Sequence, residues 1–284
     1  MTSTPTWMKC TVYAPHELLE VIAISLAEES GGGVEEVDGG ACVYFKPEDV
    51  ERIDKYLGEL DVPGADEVTW GWERIEGEEW LDSWKKYFHP FSPSARLWIT
   101  PTWEEVRPPK EGVETIRIDP GRAFGTGGHE TTKLVLSLID DLLVRDPAPS
   151  MLDVGCGSGI LSIAALLLGV GEVLAMDIDP NAVEVAGENA ALNGVDGRLS
   201  LYSGDLRGID GKWPLVVANI LYQIIMGLAP TLAEKTAPGG TLIISGLLSI
   251  EGEAALEIFG GLGFTLTERR DLGEWCALVL KKEG

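Results

Sequence analysis

The chain has 284 residues, 45% of them hydrophobic and 24% charged, a composition that buries a core and excludes a mostly disordered protein. Its 22 basic against 46 acidic side chains give a formal charge of −24. Such a chain is repelled by phosphate backbones and anionic membrane surfaces, so neither direct nucleic-acid binding nor a membrane is expected; a basic macromolecule is its natural complement, with solubility alone as the other use of the acid.

In chain order, Trp7 to Tyr13 reads as a strand, and Pro15 to Glu29 as a helix with Leu18, Leu19, Ile22, Ala23 and Leu26 on one face. Gly31-Gly32-Gly33 breaks it. Strands at Val34–Val37 and Ala41–Phe45 flank Asp38-Gly39-Gly40 as a hairpin, Pro47 opens a second helix to about Leu60, and Val68–Ile75 closes the unit as a strand. That order is the ferredoxin-like α+β pattern. Residues 1–80 hold 19 acidic against 5 basic side chains, making this the most acidic part of the chain. Glu78 to Phe88 reads as an amphipathic connecting helix with Trp80, Leu81, Trp84 and Phe88 on one side.

Beyond it, strands are expected at 97–100, 115–118, 150–154, 172–177, 199–202, 215–218, 241–245, 263–269 and 276–281. Helices are expected at 131–144, 160–168, 181–193, 223–236 and 251–259. Alternation of this kind predicts a mostly parallel, doubly covered, Rossmann-like sheet, with the last two strands as an antiparallel hairpin at its edge. The expected organisation is residues 1–76 as a small α+β domain, 77–100 as a connection and 101–284 as the larger domain.

The sharpest motif is Asp153-Val154-Gly155-Cys156-Gly157-Ser158-Gly159-Ile160, a strand running through glycines into a helix. Gly155 and Gly157 let the backbone turn tightly and a ligand approach closely. Asp177 ends the next strand, placed to accept both hydroxyls of a ribose. The sixth position of a dinucleotide fingerprint is Ile160, not glycine, and an acid, Asp153, precedes the turn. That combination suits the zwitterionic tail and cationic centre of S-adenosylmethionine; a dehydrogenase cofactor, or a glycine turn without ligand, are the competing readings.

Asp205 follows the next strand, where it would reach an adenine amino group or cap a turn. Asn219 ends the apolar run Leu215 to Ala218; its carbonyl oxygen would orient an amine beside the transferred methyl group, or else it caps a loop. Upstream, Asp119 to Lys133 is a glycine-rich loop entering a helix. Thr131 or Thr132 would cap that helix or bind, and Phe124 would lie against a sulfonium through cation–π attraction.

Asp119-Pro120-Gly121, Ala123 to Gly127, His129, Thr131-Thr132, Asp153 to Leu161, Asp177 to Pro180, Asn189-Ala190, Asn193-Gly194, Asn219-Ile220-Leu221 and Gly273-Glu274-Trp275, with Trp80, Trp84 and Arg96 to Trp103 before them, resemble the bacterial PrmA-type family, the methyltransferase of large-subunit ribosomal protein eleven. The resemblance runs from about Trp80 to Leu278, with Arg122 and Gly128 as departures. It implies a class I S-adenosylmethionine-dependent methyltransferase domain with cofactor contacts at Thr132, Gly155, Asp177 and Asn219, and Phe124 nearby. It further implies methylation of lysine ε-amines, with the α-amine as a further candidate, of a basic ribosomal protein. Methylation of another basic protein, or a module that holds cofactor without catalysis, are the alternatives.

Cys10, Cys42, Cys156 and Cys276 are scattered, as are His16, His89 and His129, so no metal site is expected. Met1 to Lys9 has no apolar signal core and no apolar run is long enough for a membrane helix, so a cytoplasmic protein with free thiols is expected. The sequence leaves the oligomeric state open, with a monomer as the working expectation.

Overall fold

The structure is a computed structural model and describes residues 6–30, 34–37, 39–60, 62, 64–76, 89–104, 107–108, 110–118 and 128–284. These residues fall into two compact units, one before His89 and one from His89 onward. The connecting helix expected at Glu78–Phe88 and the glycine loop at 119–127, Phe124 included, lie outside the described residues.

The first unit runs β1 (Thr6–Tyr13), α1 (His16–Ser30), β2 (Val34–Val37), β3 (Gly40–Phe45), α2 (Val50–Gly58), β4 (Thr69–Glu76). Its sheet has the order β2-β3-β1-β4 with every pairing antiparallel, the arrangement expected of a ferredoxin-like unit. Cys10 and Val12 on β1 and Val43 and Phe45 on β3 alternate onto one face and pack with Ile22 and Leu26 of α1 and Ile53 and Leu57 of α2. Asp54 of α2 accepts the indole N–H groups of both Trp70 and Trp72, at 2.8 and 2.7 Å, tying helix to strand. Pro47 opens a short 3-10 turn instead of the α-helix itself, which starts at Val50.

The second unit holds β5 (Leu97–Pro101), β6 (Glu114–Ile118), α3 (Glu130–Arg145), β7 (Ser150–Val154), α4 (Ile160–Leu167), β8 (Glu172–Asp177), α5 (Pro180–Leu192), β9 (Leu199–Ser203), β10 (Trp213–Asn219), α6 (Tyr222–Lys235), β11 (Thr236–Leu248), α7 (Gly252–Gly261), β12 (Phe264–Leu272) and β13 (Trp275–Lys282). The main sheet has the order β12-β13-β11-β10-β7-β8-β9. β7 to β11 are parallel, and the β12–β13 hairpin adds two antiparallel strands at one edge, β13 inside and β12 outermost. The chain moves outward from β7 through β8 to β9, then returns to place β10 on the other side of β7. That reversal opens a crevice at the carboxyl ends of β7 and β10.

Two details differ from the sequence reading. β5 and β6 form a separate two-stranded parallel sheet instead of joining the main one, because β6 lies against α4 and α5. Their inward side chains Leu97, Ile99, Ile116 and Ile118 are wholly buried there. β11 begins at Thr236, ahead of Thr241, and its register against β10 shifts between Trp213 and Leu215 to absorb the extra residues.

The buried core of the main sheet joins Leu152, Val154, Val216, Ala218, Leu242, Ile244 and Leu278 to Ile225, Ala229 and Leu232 of α6 and Phe259 of α7. All four cysteines are buried free thiols. Among the described residues no helix is long and apolar enough to cross a membrane.

Asp140, 3% exposed on α3, fastens the entry to β5: its carboxylate accepts the Arg96 backbone N–H at 3.2 Å and the Arg96 guanidinium, and its carbonyl accepts Arg96 Nη2 at 2.8 Å. Replacing Asp140 by alanine leaves donors without acceptors and is expected to destabilise the fold by about 2 kcal/mol, since hydrogen bonds to a charged group contribute in that range. Urea unfolding of the variant checks this, and an unchanged midpoint contradicts it.

Candidate active site

The register of the parallel strands sets the geometry. Val154 pairs with Met176 and Ala218, Asp177 with Ser203, and Asn219 with Ser245. Asp177, Gly155 and Asn219 therefore stand in one row, each one residue past or at the end of its strand. With strands about 4.8 Å apart, Asp177 and Asn219 flank the glycine turn at roughly 10 Å from each other.

Gly155, Gly157 and Gly159 have φ of +75°, +50° and +78°, all in the left-handed region that L side chains avoid. Gly159 then caps α4. The turn is fastened to β8: the Met176 carbonyl accepts the N–H groups of Gly155 and Cys156, both at 2.9 Å. The two oxygens of Asp177 accept the N–H groups of Gly157 at 3.0 Å and Asp179 at 3.1 Å. A carboxylate has about four lone-pair sites. One on each Asp177 oxygen is taken by backbone, so one on each is left for a pair of neighbouring hydroxyls.

The two threonines that the sequence could not separate behave differently. His129 caps α3 through Nδ1, which accepts the Thr131 N–H at 3.3 Å and lies 2.8 Å from Thr131 Oγ1. The His129 ring packs edge-on against Trp275 of the β12–β13 hairpin, centroids 4.9 Å apart. Thr132 is 1% exposed and its Oγ1 has no hydrogen-bond partner among the described residues. Leaving such a hydroxyl unpaired costs about 1–3 kcal/mol, which a polar ligand atom would recover.

Asp205 is exposed and caps a 3-10 turn, its Oδ1 accepting from Arg207 N at 2.8 Å and Nε at 2.9 Å. These are the hydrogen bonds of the capping reading; a contact with adenine stays a proposal. Asn219 is half-buried at the end of β10, and its amide has no protein partner among the described residues. Ile178, next to Asp177, is 75% exposed at the same sheet edge. Sequence reading passed over it because an apolar residue after a strand looks ordinary; only its exposure marks it as a surface for a flat apolar ring.

The Asn189 and Asn193 motif also finds its place. Asn189 Nδ2 donates to the Ser158 carbonyl of the glycine turn at 2.9 Å. Asn193 Nδ2 donates to the carbonyls of Asn189 and Arg117, at 2.8 and 2.7 Å, and its Oδ1 accepts the Arg117 N–H at 2.8 Å. The pair thus connects the turn to the end of β6.

Asp153 does not reach the surface. It is wholly buried, Oδ2 accepts the Ser162 hydroxyl at 2.6 Å, and Oδ1 is unpartnered among the described residues. Burial pushes its carboxyl up from 3.8 to about 6; the Ser162 hydroxyl opposes the shift and the Asp177 charge adds to it. Burial likewise raises the Cys156 thiol, which stays protonated at neutral pH.

A model of the family described as "Ribosomal protein L11 methyltransferase (PrmA)" matches residues 22–283. The chain is 37% identical to the ribosomal protein L11 methyltransferase of Pelobacter propionicus, over 98% of each chain. It is 38% identical to that of Geobacter sulfurreducens, over 98% of this chain and 99% of the relative. Among solved structures it resembles the ribosomal protein L11 methylase of Lactobacillus delbrueckii subsp. bulgaricus, with a TM-score of 0.64 and 36% identity, covering 69% of this chain and 100% of the other.

The Asp153 environment has a pH consequence. An acid whose carboxyl is raised on folding contributes stability below its unfolded value that is lost as pH rises through the folded one, here between about pH 4 and pH 6. In the cofactor-free protein, Asp153→Asn removes that loss and should be more stable than the parent by about 3 kcal/mol at pH 7, with the difference vanishing below about pH 4. Denaturant midpoints of both proteins across this range decide it; parallel curves contradict it.

Proposed function

The chain belongs to the ribosomal protein L11 methyltransferase family and uses S-adenosylmethionine, and from this premise we propose that it methylates lysine ε-amines of that ribosomal protein, with the α-amine as a further target. The observation that carries the reading is the row Asp177–Gly155–Asn219 across the switch point of the sheet, with the Thr132 hydroxyl, unpartnered among the described residues, as a further polar group in the same unit.

These residues fit the cofactor. Asp177 would hold the ribose hydroxyls, Ile178 would offer its exposed side chain to the adenine, and Asp205 would reach the amino group of that base. Thr132 and the backbone of the glycine turn at Gly155 and Gly157 would hold the amino-acid end, and Phe124, outside the described residues, is the group proposed for the sulfonium. When bound, S-adenosylmethionine supplies a methyl group on a cationic sulfur that leaves as a neutral thioether.

The chain's own residues then do three things. Asn219 accepts an N–H of the incoming amine and so aims the nitrogen lone pair. The apolar surroundings, with Ala218 buried and Ile220 half-buried beside Asn219, disfavour the charged ammonium. A free lysine loses its proton only near pH ~10.4, and desolvation brings that down. Exclusion of water from the reacting atoms would favour the transfer further. The ammonium gives up its proton to solvent as it is desolvated, and the neutral amine then needs an aligned lone pair and a dry site.

Recognition is assigned to residues 1–76, joined through 77–100 to catalysis in 101–284. Exposed acids Glu48, Glu51, Asp66, Glu67 and Glu73 of the first unit present negative charge to a basic partner. The enzyme needs no direct nucleic-acid or membrane contact, works in the cytoplasm, and needs no second copy for any step.

Asp177→Ala should weaken S-adenosylmethionine binding roughly tenfold to a hundredfold, the equivalent of lost hydrogen bonds to a charged group, as calorimetric titration reads directly. Unchanged affinity in a folded variant removes the ribose assignment. Asn219→Ala should lower kcat by about a hundredfold with cofactor affinity largely kept, because it acts mainly in the transition state. A normal rate makes Asn219 a loop cap. Reversing Glu48, Glu51, Asp66 and Glu67 to lysine should cut kcat/KM for the protein acceptor through slower association. The parent's kcat/KM should fall as salt rises, since screening shortens electrostatic reach to about 8 Å at physiological ionic strength. Insensitivity to both charge reversal and salt refutes the electrostatic role of this unit.

A further inference from the structure

We propose that Gly246 is a positioning residue for Asn219, acting through Ile220. This rests on the reading of Asn219 as the group that orients the amine. Gly246 has φ +85° and sits where β11 slips its register against β13, between Ser245, paired with Ala277, and Leu247, paired with Cys276. Since Asn219 pairs with Ser245, Gly246 comes level with Ile220.

A Cβ built on Gly246 would lie 2.1 Å from the Ile220 carbonyl oxygen, 2.8 Å from its carbonyl carbon and 3.2 Å from its nitrogen. All three are backbone atoms, so no side-chain rotation relieves the clash. On the opposite side, a Cβ on Gly155 would lie 2.3 Å from Ile220 Cγ2. Gly155 follows β7 and Gly246 lies in β11, the two strands that flank β10 in the sheet. Ile220 is therefore seated between two left-handed glycines, its backbone against one and its side chain against the other. The closest approach of Gly246 is to the carbonyl of Ile220, in the peptide that follows it, and the Ile220 nitrogen, in the peptide that joins it to Asn219, comes next, so a side chain at 246 would push on the backbone on both sides of Ile220. The slipped register of β11 has a purpose in this view: it removes a side chain where the Asn219–Ile220 segment must pass, and so sets the height at which the Asn219 amide stands over the crevice.

The test uses the full chain, with Gly246→Ala, Ile220→Ala and Asn219→Ala, and with each of the first two combined with the third. Methylation kinetics on the ribosomal protein, S-adenosylmethionine affinity and thermal midpoint are measured for each. Gly246→Ala should lower kcat about tenfold or more while the cofactor Kd stays within about threefold, and should lower the kcat of Asn219→Ala by no more than about twofold further. Ile220→Ala keeps the backbone intact and carries the same test if Gly246→Ala fails to fold: reduced kcat in the parent, little further loss beside Asn219→Ala. A purely structural role predicts a lowered thermal midpoint with kcat unchanged, or losses that multiply with that of Asn219→Ala, and either result overturns the proposal. If Asn219→Ala itself turns over normally, the reading of Asn219 falls and this one with it. If Asn219→Ala is impaired while folded Gly246 and Ile220 variants are normal, only the positioning role falls.

Discussion

At the carboxyl edge of the sheet, the last two residues of β8 hold the turn that follows β7. The Met176 carbonyl takes the N–H groups of Gly155 and Cys156, the Asp177 carboxylate takes that of Gly157, and the Asp177 carbonyl takes that of Gly204 after β9. Three strand ends are locked to one another by backbone donors meeting two adjacent residues. The lock requires left-handed backbone at Gly155, Gly157 and Gly204. The donors are backbone groups, but one acceptor is the Asp177 side chain, so the turn depends on that carboxylate. Asn189 supports it from below through the Ser158 carbonyl, and Asn193 carries the connection to β6. Across the crevice, Asn219 is placed by close backbone packing against β11 instead. One wall of the site is fixed by hydrogen bonds, the other by shape.

This division matches the demands of the two ligands. A nucleoside is recognised by polar groups at fixed positions, and Asp177 is preset by the same contacts that build the turn. In the proposed reading a lysine amine arrives on a protein substrate, and it needs a dry surface and one well-aimed acceptor. Charge is used at a distance: the acids that give the chain its −24 favour encounter with a basic partner. Ala218, Asn219 and Ile220, at the end of β10, are uncharged, so in the proposed reading they do not stabilise the ammonium form of the amine that must be deprotonated.

Much of this was legible in the sequence because it depends on short spacings. The strand–glycine–helix run at 150–167, the acid ending the next strand, and the asparagine ending β10 are local patterns, and the structure puts them in one row. The β12–β13 hairpin was legible from the lack of room for a helix between its strands. What was not legible depends on neighbours distant in the chain. Thr131 and Thr132 look alike until the His129 ring takes one hydroxyl and not the other. β5 and β6 have the pattern of sheet strands, but pairing with each other and packing on α4 and α5 is decided by tertiary contact. Gly246 sits in an unremarkable Ser-Gly pair, and its meaning comes from Ile220, 26 positions earlier. Ile178 is marked by exposure alone. Asp153, whose place just before the glycine turn suggested it for a ligand with a cationic centre, is instead wholly buried.

The central claim is that this site methylates amines of one basic ribosomal protein. Incubating the purified chain with isotope-labelled S-adenosylmethionine and a whole ribosomal-protein extract, followed by intact-mass analysis and fragment mapping, tests it most directly. The account predicts whole methyl increments on ribosomal protein L11 at lysine side chains, with or without its α-amine, and on no other abundant component. Label on a different protein, on RNA, or on nothing while cofactor still binds would contradict it.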